Sequence, residues 1–199
     1  MDLNIYLDIF IGAVSLISTI AIFTVVFLDF ARFQKKDNII REKKSIVDTV
    51  TMALFFLFYY LIIRFQIGVI EIDLSLWMET LIIVVGCLVI IYSCYVNVIG
   101  RRELGGNWAN HIKIYDDHKL VTKGVYSLVR HPLYASLIWI FFGGSLVYMN
   151  YIAFILNVLI FIPFMYYRAK QEEELLSVRF KDYKEYKLKV GMFFPKINI

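Results

Sequence analysis

Residues 130–174 read RHPLYASLIWIFFGGSLVYMNYIAFILNVLIFIPFMYYRAKQEEE, and two apolar segments make up most of this stretch. The first begins at Pro132 and ends near Met149, and the second extends from about Tyr151 to Tyr167. Apolar segments of this length are typical of helices that cross a membrane. Because only residues 149–151 connect them, we expect an antiparallel helical hairpin.

Polar side chains lie at both open ends of this predicted hairpin. Arg130 and His131 come directly before the first segment, and Arg168 follows the second, with three glutamates at residues 172–174. An antiparallel hairpin brings its two open ends together, although about forty residues separate them in sequence. The pattern therefore predicts a polar pocket where hydrophobic helices meet water, open sideways to lipid.

The composition of the whole chain is that of a membrane protein. Of its 199 residues, 60% are hydrophobic and 17% aromatic, and the mean hydropathy is +0.67. These values exceed those of soluble globular domains. The length predicts one folding unit. Within it we separate a three-helix transmembrane region (1–100) from a candidate catalytic region with a loop, a hairpin and a C-terminal helix (101–199).

Hydropathy predicts three further spans before the hairpin, and thus about five transmembrane helices in an all-α integral membrane protein. They cover about Ile5 to Phe30, Val47 to Ile63 with a possible extension to Ile70, and Leu74 to Ile99. The first lacks a basic leader and is expected to insert uncleaved. Within the last span, Pro163 predicts a kink because proline lacks a backbone N–H.

The basic residues predict the orientation of the helices. Of the 21 Lys and Arg residues, six lie in residues 32–44, six in residues 101–130, and eight from Arg168 onward. By the positive-inside rule these segments are cytoplasmic and the amino terminus is outside. The candidate pocket and the carboxyl terminus are then cytosolic. The net charge of +4 indicates contact with anionic membrane lipids, since no basic stripe indicates nucleic-acid binding.

Each polar cluster also has a purely structural interpretation. Arg130, His131 and Pro132 are typical of a helix start with interfacial anchors, and the tyrosines at 126 and 134 of an aromatic belt. Arg168 and Glu172 could form a weak intrahelical pair. Alternatively, the first amides of the helix bind a ligand carboxylate or hydroxyl, and the adjacent glutamates attract a cation. The three histidines give no metal-ligand spacing, so we expect no metal site.

The polar motifs together resemble the isoprenylcysteine carboxyl methyltransferase family, which is grouped with phospholipid N-methyltransferases. The resemblance covers about residues 101–196 and rests on HKLVTKGVY at 118–126, RHPLY at 130–134, and Arg168 with Glu172 and Glu173. It implies a helical membrane enzyme that binds S-adenosylmethionine in a pocket near the cytosolic surface. The lack of a Gly-x-Gly-x-x-Gly fingerprint agrees with the absence of a Rossmann domain.

The resemblance also implies roles for individual residues. Arg168 corresponds to the position that meets the substrate, and His131 would contact the cofactor. For a carboxylate no base is needed, whereas for an amine or a thiol His131 would be the first candidate base. We therefore treat both residues as candidate catalytic residues. The implied cofactor contacts are His118, Lys119, Leu120, Val121, Tyr126, His131, Pro132, Leu133, Tyr134 and Glu172.

The expected activity is methylation of the carboxylate of a lipophilic or lipidated substrate, such as an isoprenylcysteine. Three alternatives stay open at this point. The acceptor could be a phospholipid amine or a hydrophobic thiol. The Arg-His-x-x-Tyr element also occurs in NADPH-dependent sterol reductases, although Glu172–Glu174 suits a 2′-phosphate poorly. A non-enzymatic membrane protein of the same fold is the third alternative.

Overall fold

The structure, a computed structural model, describes residues 39–43, 46–70, 74–105, 112–115 and 119–196, with isolated helical positions between residues 6 and 20. The first predicted span therefore lies mostly outside the described residues. The elements are β1 (Ile39–Lys43), α1 (Ile46–Arg64), α2 (Leu76–Leu104), β2 (Ile112–Tyr115), a 3-10 helix (Gly124–Ser127), α3 (Pro132–Val147), α4 (Tyr151–Leu156), a π turn (Asn157–Phe161), α5 (Ile162–Arg179) and α6 (Tyr183–Lys189).

The helical fold agrees with the prediction, and one small sheet adds to it. Strands β1 and β2 pair antiparallel, with Ile39 opposite Tyr115 and Lys43 opposite Ile112. No strand was expected in these two loops, because hydropathy finds spans but not short pairings between polar segments. The sheet joins the two loops that carry the first two groups of basic residues.

The expected hairpin forms from α3 on one side and α4, the π turn and α5 on the other. Asn150 caps the second arm, and its side-chain oxygen accepts a hydrogen bond from the backbone N–H of Ala153 at 2.8 Å. The irregularity expected near Pro163 is a π turn, in which the N–H of Ile162 donates to the carbonyl of Asn157. Proline deprives the preceding turn of one donor, and the wider turn accommodates this loss.

Glycines allow α2 and α3 to pack closely. A Cβ on Gly143 would lie 2.8 Å from the carbonyl oxygen of Gly86, and a Cβ on Gly86 would lie 2.9 Å from the carbonyl oxygen of Gly143. Small residues at such crossings let helix backbones approach in membranes. Ile83, Cys87, Ile90 and Val147 form the buried cluster around this crossing. This contact fixes α3, and therefore its amino-terminal end, against α2.

Aromatic packing attaches α1 to the hairpin. The ring of Phe55 stacks on that of Phe161 with centroids 4.3 Å apart, and the hydroxyl of Tyr59 donates to the carbonyl of Phe141 at 2.7 Å. Residue 100, our proposed boundary between two regions, lies inside α2. The hydrophobic core is shared across that boundary, and the division by function stays a prediction.

The outer surfaces of the helices are apolar. Leu88 on α2 and Leu159 in the π turn are 60% and 68% exposed, in positions that suit contact with lipid tails. Among the described residues, two helices are long and apolar enough to cross a membrane, Leu76–Leu104 and Tyr151–Arg179. The shorter apolar helices are Val50–Arg64 and Pro132–Val147.

Candidate active site at the open end of the hairpin

The hairpin brings the two predicted polar clusters into contact. His131, the residue before α3, is 5% exposed and lies against the glutamates of α5. Its Nδ1 is 3.5 Å from Oε2 of Glu172, and its Nε2 is 3.4 Å from Oε1 of Glu173. The predicted proximity of His131 and Glu172 is therefore confirmed, and each ring nitrogen faces a carboxylate.

Glu173 is the most enclosed acid of the site, with a side chain 2% exposed. Its Oε1 accepts hydrogen bonds from Nε and Nη2 of Arg130 at 2.8 and 2.7 Å. Its Oε2 lies 2.7 Å from Nζ of Lys187 on α6. The side chain of Arg130 is only 7% exposed, so this arginine is a buried ion-pair partner and not the water-facing anchor considered above.

The C-terminal strap, residues 187–192, completes this end of the hairpin. The N–H groups of Arg130 and His131 donate to the carbonyls of Gly191 and Met192 at 2.8 and 3.1 Å. Nη1 of Arg130 also donates to the carbonyls of Lys187 and Val190 in the strap. The backbone that enters α3 is therefore held by the strap, over a sequence separation of about sixty residues.

Burial and charge shift the ionisation of this cluster in consistent directions. Burial alone would lower the pKa of His131, but the nearby carboxylates of Glu172 and Glu173 outweigh it and raise that pKa above its usual value. Burial raises the pKa of Glu173, whereas contacts with His131, Lys187 and Arg130 lower it to a net value of about 2. The pKa of Glu172 is also lowered, because contact with His131 outweighs burial. The site thus favours two carboxylates around an imidazolium.

Tyr134 and Arg168 extend the site toward the membrane. The Tyr134 ring is parallel to that of His131, with centroids 5.5 Å apart, and the guanidinium carbon of Arg168 lies 5.9 Å from the Tyr134 ring centre. Nε of Arg168 and Oε1 of Gln171 are buried without a hydrogen-bond partner. Buried polar atoms without partners are uncommon in proteins, and they indicate groups available to a ligand.

The first turn of α3 offers backbone donors at the same place. Pro132 occupies the start of the helix, as expected from its fixed φ angle. The first i to i−4 bond of the helix runs from the N–H of Ala135 to the carbonyl of His131. The amides of Leu133 and Tyr134 therefore lie at the free end of the helix, where an anion is favoured.

The remaining predicted cofactor contacts lie before α3. Tyr126 is buried, and its hydroxyl donates to the carbonyl of Gly100 on α2 at 3.3 Å, so its polar group supports the fold. Lys119, Leu120 and Val121 lie in the non-helical segment that leads to the 3-10 helix. His118 lies outside the described residues. The roles of these residues stay predictions.

Sequence reasoning did not predict the ion pairs that Glu173 forms with Arg130 and Lys187. Three successive glutamates indicated a need for cationic partners, and the partners of Glu173 are indeed cations. The partners themselves lie 43 residues before Glu173 and in the strap after it, and no local pattern links them. Only the fold identifies which of the three carboxylates is enclosed.

These features define a class: helical proteins of the membrane with a charged site at the open end of an antiparallel hairpin. Residues 81–178 match the isoprenylcysteine carboxyl methyltransferase (ICMT) family. The chain is similar to this family over that segment, which is 98 of its 199 residues, and it is an integral membrane protein. The matched residues include α3, all of α5 except its last residue, and the contact between His131 and Glu172.

Individual relatives agree with the family match. The protein-S-isoprenylcysteine O-methyltransferase of Saccharomyces cerevisiae is 34% identical over 117 residues, which are 57% of this chain and 49% of the relative. A probable protein-S-isoprenylcysteine O-methyltransferase of Oryza sativa subsp. indica is 32% identical over 118 residues, 57% of this chain and 61% of the relative. The chain thus spans about half to three fifths of these relatives' lengths.

A solved structure supports the fold. The eukaryotic intramembrane Ras methyltransferase ICMT superposes with a TM-score of 0.55 at 23% identity, over 78% of this chain and 54% of that chain. At this identity the likeness concerns the fold alone. Activity, cofactor and substrate are therefore matters of proposal for this chain.

Proposed function

We propose that the protein is an S-adenosylmethionine-dependent methyltransferase that methylates the carboxylate of a lipophilic or lipidated substrate, such as an isoprenylcysteine. The observation that carries this proposal is the pairing of His131 with Glu172 at the open end of the hairpin, at 3.5 Å. The names of the relatives favour a carboxylate acceptor over a phospholipid amine or a thiol. Membrane lipids are the expected surroundings of both protein and substrate.

The residues of the site fit S-adenosylmethionine by their chemistry. The side chain of Glu172 is 36% exposed and carries a lowered pKa, so it offers an accessible negative charge to an ammonium group. The amides of Leu133 and Tyr134 suit a carboxylate. The Tyr134 ring offers a π face to a sulfonium, an attraction on the order of 1 kcal/mol. Groups that suit the ammonium, the carboxylate and the sulfonium of the cofactor thus occur together.

When bound, this cofactor supplies an electrophilic methyl group, and the protein supplies the alignment. Glu172 and the first turn of α3 hold the two charged ends, so that only one orientation satisfies both. Burial of His131 and Glu173 excludes water from the base of the site. Alignment and exclusion of water are the main contributions that such a transfer needs.

Arg168 is the proposed binding group for the acceptor. Its Nε is buried without a partner, and an acceptor carboxylate could take a hydrogen bond from it. A guanidinium binds a carboxylate with two parallel hydrogen bonds, which an ammonium does not. Because a carboxylate is already ionised near pH 7, no proton has to leave it before transfer. Arg168 then orients one carboxylate oxygen for attack.

The membrane provides the route for the apolar part of the substrate. Tyr166 and Tyr167, directly before Arg168, are 49% and 56% exposed, so the helix presents apolar and aromatic surface beside the proposed carboxylate site. A lipid tail in the bilayer could lie there while its carboxylate reaches Arg168. We further propose that this end of the hairpin is cytosolic and that the amino terminus is outside, as the distribution of Lys and Arg favours.

The proposal is tested by transfer of labelled methyl groups from S-adenosylmethionine to farnesylcysteine, phosphatidylethanolamine and simple thiols in nanodiscs. We expect label on farnesylcysteine. Arg168→Ala should bind the cofactor as the wild type does and lose at least about a hundredfold in kcat/KM, equivalent to about 2.7 kcal/mol. Arg168→Lys should recover part of this loss, and exposed Arg102→Ala is the matched control.

Two results would count against the proposal. Undiminished turnover in Arg168→Ala would remove the assigned role of that residue. Stabilisation of the protein in detergent by NADPH and not by S-adenosylmethionine would favour the reductase alternative, and stabilisation by neither would favour a non-enzymatic role.

A further inference from the structure

The imidazole of His131 is enclosed between two carboxylates. Nδ1 faces Glu172 at 3.5 Å and Nε2 faces Glu173 at 3.4 Å, while the residue is only 5% exposed. A neutral imidazole carries one N–H and one lone pair, so one of its nitrogens would turn a lone pair toward a carboxylate. A doubly protonated ring instead presents an N–H to each carboxylate. Nε2 makes no hydrogen bond, so its 3.4 Å contact with Glu173 is a contact between charges, and two carboxylates this close to a buried ring favour the charged form.

Glu173 is fixed in place by its own helix and by groups from two other segments. Arg130 holds its Oε1 with two nitrogen atoms, and Lys187 lies 2.7 Å from its Oε2. Its own helix carries it into the core, where the residue is 1% exposed. Its position is thus set by the protein and not by a ligand. Glu172, by contrast, is partly exposed and available to one.

We propose that Glu173 is a positioning residue that holds His131 as a fixed, doubly protonated cation, so that His131 orients Glu172 and does not serve as a general base. The inference deepens, and rests on, the proposed function, because Glu172 is the proposed binding group for the cofactor's cationic end. Glu173 does not touch the ligand in this scheme; it acts through His131.

The charged groups around the ring act in opposite directions, since carboxylates favour the charged form and cations oppose it. Glu172 and Glu173 reach it from α5, and Tyr134 stacks on it from α3. The cations Arg130 and Lys187 are paired to Glu173. Burial opposes the charged ring, yet the two glutamates outweigh it and raise the pKa of His131. The neighbours that favour the charged ring therefore prevail over burial and over the nearby cations.

The charged state has a consequence for the acceptor. An imidazolium has no lone pair and cannot take a proton from an amine or a thiol. His131, the candidate base that the sequence suggested for an amine or a thiol, therefore cannot serve as that base. An acceptor that is already ionised, a carboxylate, needs none. The arrangement of Glu173 thus restricts the chemistry of the site as well as its geometry.

The test is the titration of His131 in the full chain, labelled with 15N-histidine and reconstituted in nanodiscs. The chain has three histidines, so the His131 signal is assigned by its loss in His131→Gln. In the wild type we expect both ring nitrogens to be protonated at pH 6.5, the ordinary midpoint, with loss of the proton only at higher pH. A neutral ring at that pH would overturn the proposal.

Substitution of Glu173 gives the second measurement. Glu173→Gln removes the negative charge at nearly constant shape, so the His131 titration should move to lower pH. Cofactor affinity should fall on the order of tenfold, which corresponds to about 1.4 kcal/mol. The neighbouring Glu174→Gln is the matched control, because Glu174 is exposed, and it should leave both readouts unchanged. In Glu173→Asp, which keeps the charge, His131 should titrate at nearly the same pH as in the wild type.

These outcomes separate the inference from the proposed function. An unchanged His131 titration in folded Glu173→Gln would contradict the positioning role. If Glu173→Gln does not fold, the wild-type titration decides alone. The NMR titration needs neither cofactor nor substrate, so failure of methyl transfer in the wild type would leave it intact and would count only against the proposed function.

Discussion

At the scale of single residues, Gly124 shows how one backbone position supports the approach to the site. It begins the 3-10 helix with φ of +59°, a conformation that L residues with a Cβ rarely adopt. A Cβ there would also lie 1.7 Å from Oε1 of Glu103, whose other oxygen accepts a hydrogen bond from the N–H of Val125. A side chain at residue 124 is therefore disfavoured twice, by the positive φ angle and by overlap with Glu103.

We expect Gly124→Ala to lower the free energy of unfolding by about 2–3 kcal/mol, from the left-handed backbone and the displaced Glu103 contact. Gly105→Ala is the matched control, because Gly105 has φ of +51° with nothing within 4 Å of its Cβ position. Its loss should come from the backbone conformation alone, without the contribution of a displaced contact. Thermal unfolding in detergent measures both, and equal losses would exclude a contribution from Glu103.

At the scale of elements, the helix boundaries show what hydropathy does and does not determine. The span predicted over Val47 to Ile63 corresponds to α1, Ile46–Arg64. The last span was predicted to end at Tyr167, but the helix continues to Arg179. Hydropathy marks where a chain leaves the membrane, whereas Lys, Gln and Glu after Arg168 are good helix formers in water. The continuation carries Glu172 and Glu173 on the same rigid helix.

Some contacts of the candidate site could be predicted from local sequence patterns, and others depend on distant segments. A short connection between two apolar segments was enough to predict the contact between His131 and Glu172. The enclosure of Glu173 depends on Arg130 and on a strap that returns from the end of the chain. Such a contact between distant segments depends on tertiary packing, which neither periodicity nor composition encodes.

The π turn allows a prediction for the hairpin as an element. Asn157 is 1% exposed, and its Nδ2 donates to the carbonyl of Ile138 on α3 at 3.1 Å. Asn157→Ala should lower stability by about 0.6 kcal/mol, and by less than about 2, as is typical of hydrogen bonds between membrane helices. The adjacent Val158→Ala, at a 36% exposed position, should change it little. Reversible unfolding in mixed micelles measures the difference, and equal losses would contradict a role for the hydrogen bond.

At the scale of the whole molecule, two sets of turns lie at opposite ends of the helices. Val69 pairs with Asn150 at one end, and Val129 pairs with Gly191 at the other. The candidate site belongs to the second end, together with the strap. The distribution of basic residues predicts that this end is cytosolic, because Lys and Arg accumulate on that side of a membrane. This orientation decides which substrates the site can meet.

Cysteine labelling tests the orientation directly. Lys189 is exposed at the end with the strap, and Ser75 is exposed at the opposite end, before α2. We expect Ser75→Cys to react with a membrane-impermeant maleimide in intact cells, and Lys189→Cys to react only after the membrane is opened. The native Cys87 and Cys94 are buried, at 1% and 8% exposure, and give a low background. The reverse labelling pattern would place the site outside the cell, where cytosolic S-adenosylmethionine could not reach it, and would remove the basis of the proposed reaction.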